Sequence, residues 1–160
     1  MNRRVVCDAS AIVALLVDAG SNGRWATKEL SDADLLAPSL VSSEAANIIR
    51  RHEMAGVISA DQAAQAHVDL LDLAIEQWSY ELLAKRAWQL RQNLSIYDGS
   101  YVALAELTGT ALVTLDKRIT GAPGLRCTVT TPSAATDQLQ PLRGRDPSGS
   151  EAVAHDRGRC

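Results

Sequence analysis

Two spacings of hydrophobic positions alternate along the chain, and together they predict an α/β fold. Short apolar runs predict strands over residues 4–7, 35–37, 75–78, 111–115 and 128–131. Longer segments with apolar residues at helical spacing predict helices over residues 10–18, 24–30, 39–54, 59–74, 80–93 and 97–107. Because helices separate the strands, we expect a three-layer α/β/α fold around a central, mainly parallel sheet of four to five strands.

The hydrophobic pattern stops near residue 134. From there to residue 160 the chain contains Pro, Gly, Ser and mixed charges, with neither a helical nor a strand period. We therefore expect one domain over residues 1–133, followed by a tail over residues 134–160 that is disordered or binds a partner.

Two acidic residues follow predicted strands. Asp8 stands inside the apolar stretch VVCDASAIVALL, where an ionised carboxylate is unfavourable unless it is paired, solvated or bound to a metal. Asp116 likewise directly follows a predicted strand, at the end of the stretch ALVTLD. Because functional sites gather where parallel strands end, we expect both carboxylates at one edge of the sheet.

Two more acids lie on helices that can face this edge, namely Glu44 in SLVSSEAANII and Asp98 in SIYDGSYVALA. Each of the four acids also has an ordinary explanation. Asp8 and Asp98 could cap helices, Asp116 could form a salt-bridged turn, and Glu44 could be exposed and pair with Arg51. If all four converge, their repulsion requires protonation or a divalent cation. Oxygen ligands without His or Cys favour Mg²⁺ or Mn²⁺.

Composition narrows the classes of protein. A net charge of −3 gives no bulk attraction to nucleic acid or to anionic lipid, so a polyanion would have to be handled by local charge. The three cysteines and three histidines have neither disulfide-framework nor zinc-site spacing. No run reaches the roughly 20 apolar residues of a membrane span, and Asp8 interrupts the first apolar segment too early for a signal peptide. We expect a cytoplasmic protein with no membrane association.

Four stretches, in order, resemble the PIN domain and, more closely, the VapC toxins of toxin–antitoxin pairs. They are DAS after the first strand, SEAAN on the following helix, YDGSYVALA, and LVTLDKR, within residues 4–132. The resemblance implies a PIN-like fold and a metal-dependent endoribonuclease that hydrolyses RNA phosphodiester bonds. It also implies a catalytic quartet of Asp8, Glu44, Asp98 and Asp116, in which Asp8 and Asp98 bind Mg²⁺ or Mn²⁺ directly. Glu44 and Asp116 would then bind a second ion or act through water.

The resemblance also suggests supporting residues and partners. Ser10 and Thr114 match small hydroxyl positions that orient an acid or a water, and Asn47 matches a frequent polar position. The implied partners are a cognate antitoxin, an RNA substrate and a second copy of the chain. Residues that could steer RNA are Arg24, Lys28, Arg50, Arg51, Lys85, Arg86, Lys117 and Arg118. Because aromatic residues make up only 4% of the chain, we expect little base stacking.

Two other classes of function are compatible with these residues. One is an aspartate-dependent phosphohydrolase or phosphotransferase acting through Asp8, although that chemistry usually needs a second acid where Ser10 stands. The other is a non-catalytic module that binds RNA or an antitoxin, in which the acids only cap helices. A requirement for divalent metal in RNA cleavage separates the nuclease from both alternatives.

Overall fold

A computed structural model describes residues 2–133, and its elements follow the predicted alternation of strands and helices. The strands are β1 (Arg3–Cys7), β2 (Ala33–Pro38), β3 (Ile75–Trp78), β4 (Ala111–Val113) and β5 (Val129–Thr130). The helices are α1 (Ala9–Val17), α2 (Ser21–Leu30), α3 (Val41–Met54), α4 (Ala60–Asp72), α5 (Tyr80–Gln89), α6 (Ile96–Thr108) and α7 (Lys117–Thr120). The tail predicted over residues 134–160 lies outside the described residues.

The sheet is fully parallel, with the strand order β3-β2-β1-β4-β5. From β1 the chain runs outward to β2 and β3, and then returns to β4 on the other side of β1. Right-handed crossovers place α1 to α4 on one face of such a sheet and α5 and α6 on the other. The helix packing agrees, because α1 contacts α2, α3 and α4 whereas α5 contacts α6. The predicted α/β fold is confirmed.

The strand order reverses between β1 and β4, and this reversal determines where a site can form. Helices diverge to opposite faces from two neighbouring strands, so a crevice opens beyond their carboxyl ends. Asp8 directly follows β1, and Thr114 directly follows β4. The two predicted strand-end acids, Asp8 and Asp116, therefore leave the sheet beside this crevice.

The core around this edge is aliphatic, as expected for a chain without Phe. Val5 and Val6 of β1, Leu36 of β2 and Leu112 of β4 are all fully buried. Tyr101 on α6 is the one aromatic residue among residues 2–133 that is buried with them, and it is 3% exposed. A buried phenol needs a hydrogen-bond partner, and the partner of Tyr101 is Glu44 at the crevice.

Several helix boundaries differ from the prediction: α5 ends at Gln89 instead of residue 93, and α2 begins before residue 24. The run Gly20–Gly23 was expected to interrupt the chain until residue 24, but α2 already begins at Ser21 and contains Gly23. A Cβ atom on Gly23 would collide with the backbone carbonyl oxygen of Asp18 at the end of α1. Glycine is needed here for close packing of α1 against α2, rather than for breaking a helix.

None of the helices in the described part of the chain is long and apolar enough to cross a membrane.

Candidate active site

A cavity of about 630 Å³ opens at the carboxyl ends of β1 and β4. All four acids predicted from the sequence line it: Asp8 from the end of β1, Glu44 from α3, Asp98 from α6 and Asp116 from the segment after β4. The structure therefore brings together carboxylates that are spread over more than a hundred residues of the chain.

Asp8 is the most buried acid of the cavity, with 7% of its surface exposed. Its Oδ1 accepts hydrogen bonds from the Ser10 hydroxyl at 2.6 Å and from the Ala11 N–H at 3.0 Å, and its Oδ2 accepts one from the Thr114 hydroxyl. Burial raises the pKa of Asp8 above its ordinary value, and the charge of Asp98 raises it further. The hydrogen bonds favour the ionised form but do not offset the loss of water.

Asp8 also caps α1, so it has both the capping role considered from the sequence and a place in the cavity. The two predicted hydroxyl residues connect it to β4. The Ser10 hydroxyl oxygen accepts the Leu115 N–H at 3.1 Å, and that of Thr114 accepts the Asp116 N–H at 2.9 Å. Both hydroxyls therefore hold the Asp8 carboxylate in a fixed orientation relative to the segment that carries Asp116.

Glu44 is half-buried on α3 and accepts a hydrogen bond from the Tyr101 hydroxyl at 2.5 Å. Burial raises the pKa of Glu44, and the charges of Asp8 and Asp98 add to the rise. The bond from Tyr101 acts in the opposite direction because it favours the carboxylate. The possible pairing of Glu44 with Arg51 is not among the ion pairs of residues 2–133.

Tyr101 was not predicted as a site residue. It lies three positions after Asp98 on α6, so the two side chains lie on the same side of the helix. That spacing is the signal that could have identified it. The burial and the hydrogen bond to Glu44 both raise the pKa of Tyr101, which therefore stays protonated and acts as a donor.

Asp98 is partly exposed in the first turn of α6. The helix is capped by Ser95, whose hydroxyl oxygen accepts the Asp98 N–H at 3.0 Å, so Asp98 is not the capping residue itself. The Ser95 hydroxyl also donates a hydrogen bond to Asp98 Oδ2 at 2.8 Å. The other carboxylate oxygen of Asp98 has no hydrogen-bond partner within residues 2–133, which leaves it available to a ligand.

Asp116 faces a cation as well as the cavity. It accepts the Arg118 backbone N–H at 2.9 Å and the Arg118 guanidinium at 2.6 Å. These bonds from Arg118 hold the pKa of Asp116 below its ordinary value. The salt-bridged turn considered from the sequence is thus present, and the cavity still includes both residues.

Two of the cations predicted to steer RNA, Arg51 and Arg118, line the cavity. Arg86 is not part of the lining, and its guanidinium binds Glu106 on α6 at 2.6 Å. The remaining predicted cations lie away from the lining: Arg24, Lys28, Arg50, Lys85 and Lys117. Asn47, the additional polar residue suggested by the resemblance, lies on the cavity wall one turn after Glu44.

The chemistry of the lining suits a hard divalent cation. Its charged acceptors are carboxylates, and no His or Cys is among its residues. The pKa values of Asp8 and Glu44 are raised partly by charges of the other acids, which is the repulsion that a cation relieves. No group of three or more His, Cys, Asp or Glu side chains that could hold a metal occurs within residues 2–133. A hard divalent cation can also be held by one or two carboxylates, with waters completing its coordination.

Comparisons with known proteins identify the family of the chain. The PIN domain family matches residues 5–125. Ribonuclease VapC9 of Mycobacterium tuberculosis is 37% identical over 127 residues, which cover 79% of this chain and 96% of that protein.

Solved structures share the fold at lower identity. One is VapC20 of Mycobacterium tuberculosis, described as a sarcin–ricin loop cleaving toxin, with a TM-score of 0.56, 15% identity, and coverage of 74% of this chain and 95% of that one. Another is VapBC2 of Rickettsia felis bound to promoter DNA, with a TM-score of 0.56, 12% identity, and coverage of 80% and 98%. The chain belongs to the PIN-domain family and, within it, to the VapC ribonucleases.

Proposed function

We propose that this chain is the endoribonuclease toxin of a toxin–antitoxin pair and that it hydrolyses RNA phosphodiester bonds with a bound Mg²⁺ or Mn²⁺ ion. The observation that carries the proposal is the gathering of four carboxylates at one cavity, where only Asp116 has a cationic partner within residues 2–133. The relatives named VapC ribonucleases support the same class of reaction.

In this proposal Asp8 and Asp98 bind the metal directly, while Glu44 and Asp116 bind a second ion or act through water. When bound, such an ion supplies an activated water and neutralises charge that develops on the phosphate. The hydrogen bonds of the chain prepare the ligands for this task. Ser10 and Thr114 orient Asp8, and each bond favours the ionised carboxylate that a metal requires.

Arg51 and Arg118 supply the positive charge that an RNA backbone needs at the rim of an acidic cavity. The Arg118 side chain is 87% exposed, so it can reach a substrate phosphate from its position beside Asp116. This local charge accounts for RNA binding by a chain whose net charge is −3.

The partners follow the family. We propose that the chain forms a homodimer in the cytoplasm and is inhibited by a cognate antitoxin that places a charged side chain at the acidic cavity. The Rickettsia felis VapBC2 structure of the same fold supports an antitoxin partner. A purified complex should cleave RNA more slowly than the free chain, and equal rates would count against this mode of inhibition.

The function is tested with the purified chain and total bacterial RNA, in Mg²⁺, in Mn²⁺ and in EDTA. We expect discrete cuts that need the metal and that leave a 5′-phosphate and a 3′-hydroxyl, because water rather than the ribose 2′-hydroxyl attacks. A short RNA that contains a mapped site, with a single 2′-deoxyribose at the cut, should still be cleaved. Cleavage that persists in EDTA, or that yields cyclic phosphate ends, would contradict the proposal.

Replacement of Tyr101 by phenylalanine tests the support of Glu44. The ring still fills the core, but Glu44 loses the hydrogen bond that favours its ionised form. We expect about a 10- to 100-fold loss of cleavage rate or of metal affinity, the usual cost of removing a residue that orients a ligand. The matched control is Tyr80→Phe on the outer surface of α5, which should leave both unchanged. Equal rates for the two variants would show that Glu44 needs no such support.

A further inference from the structure

The cavity has a second wall that the carboxylate chemistry leaves unused. It consists of Tyr97 at the start of α6 together with Asn47, Ile48 and Arg51 on α3. Tyr97 directly precedes Asp98, yet its side chain is not packed into the core, and 61% of its surface is exposed. An aromatic ring that is open to solvent inside a cavity offers a flat apolar surface to whatever enters.

The cation beside this ring, Arg51, has no acidic partner in the described part of the chain. Arg51 is exposed and forms no ion pair within residues 2–133, whereas Arg118 is engaged with Asp116. Glu44, Asn47 and Arg51 are spaced by three and four residues, so they follow one another along the same face of α3. This face therefore runs from an acid at the floor of the cavity to an unpaired cation at its rim.

We propose that Tyr97 stacks against an unpaired base of the RNA beside the cleaved phosphate, while Arg51 binds a neighbouring phosphate. This inference rests on the proposed ribonuclease function and adds a residue that positions the nucleotide beside the cut. Aromatic rings bind bases through their faces, which all four bases possess, and an adjacent cation holds the backbone. Because Tyr97 and Asp98 are consecutive residues, the stacked nucleotide would lie next to the carboxylates.

Such stacking also restricts the substrate. The faces of a base in a continuous duplex are covered by its neighbours, so Tyr97 can only receive a base that is unstacked in a loop, a bulge or a single strand. The low aromatic content predicted little stacking for the chain as a whole. Tyr97 is an exposed aromatic residue in the cavity lining, and it can stack with a single base next to the carboxylates.

The test combines protein variants with abasic RNA. Tyr97→Ala, Tyr97→Phe and the control Tyr80→Ala are compared on a short RNA with a mapped cleavage site and on versions in which one nucleotide near the cut lacks its base. Loss of one stacked base corresponds to about a fivefold or greater loss of affinity. We expect Tyr97→Ala to raise KM by at least this factor with little change in kcat, and we expect Tyr97→Phe and Tyr80→Ala to resemble the wild type.

The abasic substrates distinguish stacking from general damage to the site. At one position, removal of the base should raise the KM of the wild type by a similar factor and should have no effect on Tyr97→Ala, since the contact is already lost. If every abasic substrate affects both proteins equally, or if Tyr97→Ala has the KM of the wild type, stacking is wrong while the nuclease stands. If the wild type cuts no RNA in Mg²⁺ or Mn²⁺, the proposed function fails and the inference fails with it.

Discussion

Replacement of Asp8 by asparagine is expected to abolish RNA cleavage and, at the same time, to stabilise the metal-free protein. The variant loses a carboxylate that we assign to the metal, and a loss of about 1000-fold or more corresponds to ~4 kcal/mol of transition-state stabilisation. Asparagine retains an oxygen that can accept the Ala11 N–H and cap α1. It also removes a charge that is buried beside other acids.

The pKa of Asp8 gives this prediction a pH dependence. Burial raises the pKa of Asp8 in the folded protein above its value in the unfolded chain, so the folded state holds the proton more tightly. The stability that Asp8 contributes is fully present below its unfolded pKa and is lost as the pH rises through its folded pKa. The stability of Asp8→Asn relative to the wild type should therefore increase with pH. Asp116 and Glu106, whose pKa values are lowered, affect the stability of both proteins alike and do not change this difference.

Urea denaturation in EDTA at pH 5 and pH 8 measures this difference, with cleavage assays on the same preparations. The control is Asp32→Asn, an exposed acid before β2 at the opposite edge of the sheet, which should change neither stability nor activity. Two results would contradict the account: a variant that cleaves RNA like the wild type, or one that is less stable than the wild type at pH 8.

Saturation with Mn²⁺ is expected to give the second large effect, a stabilisation of the wild type that Asp8→Asn does not share. Burial raises the pKa values of Asp8 and Glu44, and repulsion among the acids adds to the rise; the cation relieves this repulsion. A ligand present at 100 times its Kd stabilises the folded state by about 2.7 kcal/mol.

Strand-end reasoning was sufficient to locate two of the acids. Asp8 and Asp116 follow neighbouring parallel strands, and Asp98 was expected at the same edge because its helix can face it. Both arguments depend on local sequence and on the geometry of a parallel sheet, which tertiary packing does not alter. That all four acids share one site was implied by the resemblance to the PIN domain, not by these arguments.

The contacts that prepare these acids were not accessible in the same way. The bond from Tyr101 to Glu44 joins α6 to α3 across 57 residues, and helical spacing alone does not specify which helix lies opposite. The place of Tyr97 in the cavity is equally a matter of tertiary structure, because the other residues of the second wall come from α3. The short helix α7 was missed because four residues are too few to show a helical hydrophobic period. It begins at a local hydrogen bond, in which the Asp116 side chain accepts the Arg118 N–H.

The central claim is that Asp8 and Asp98 share a divalent cation with the other acids of this cavity. Its most direct test is calorimetric titration of Mn²⁺ into the metal-free wild type, Asp8→Asn, Asp98→Asn and Asp32→Asn, without RNA. The account predicts equal binding by the wild type and Asp32→Asn, and affinities reduced at least about tenfold in the other two. Unchanged Mn²⁺ binding by Asp8→Asn and Asp98→Asn, each correctly folded, would show that the metal is held elsewhere.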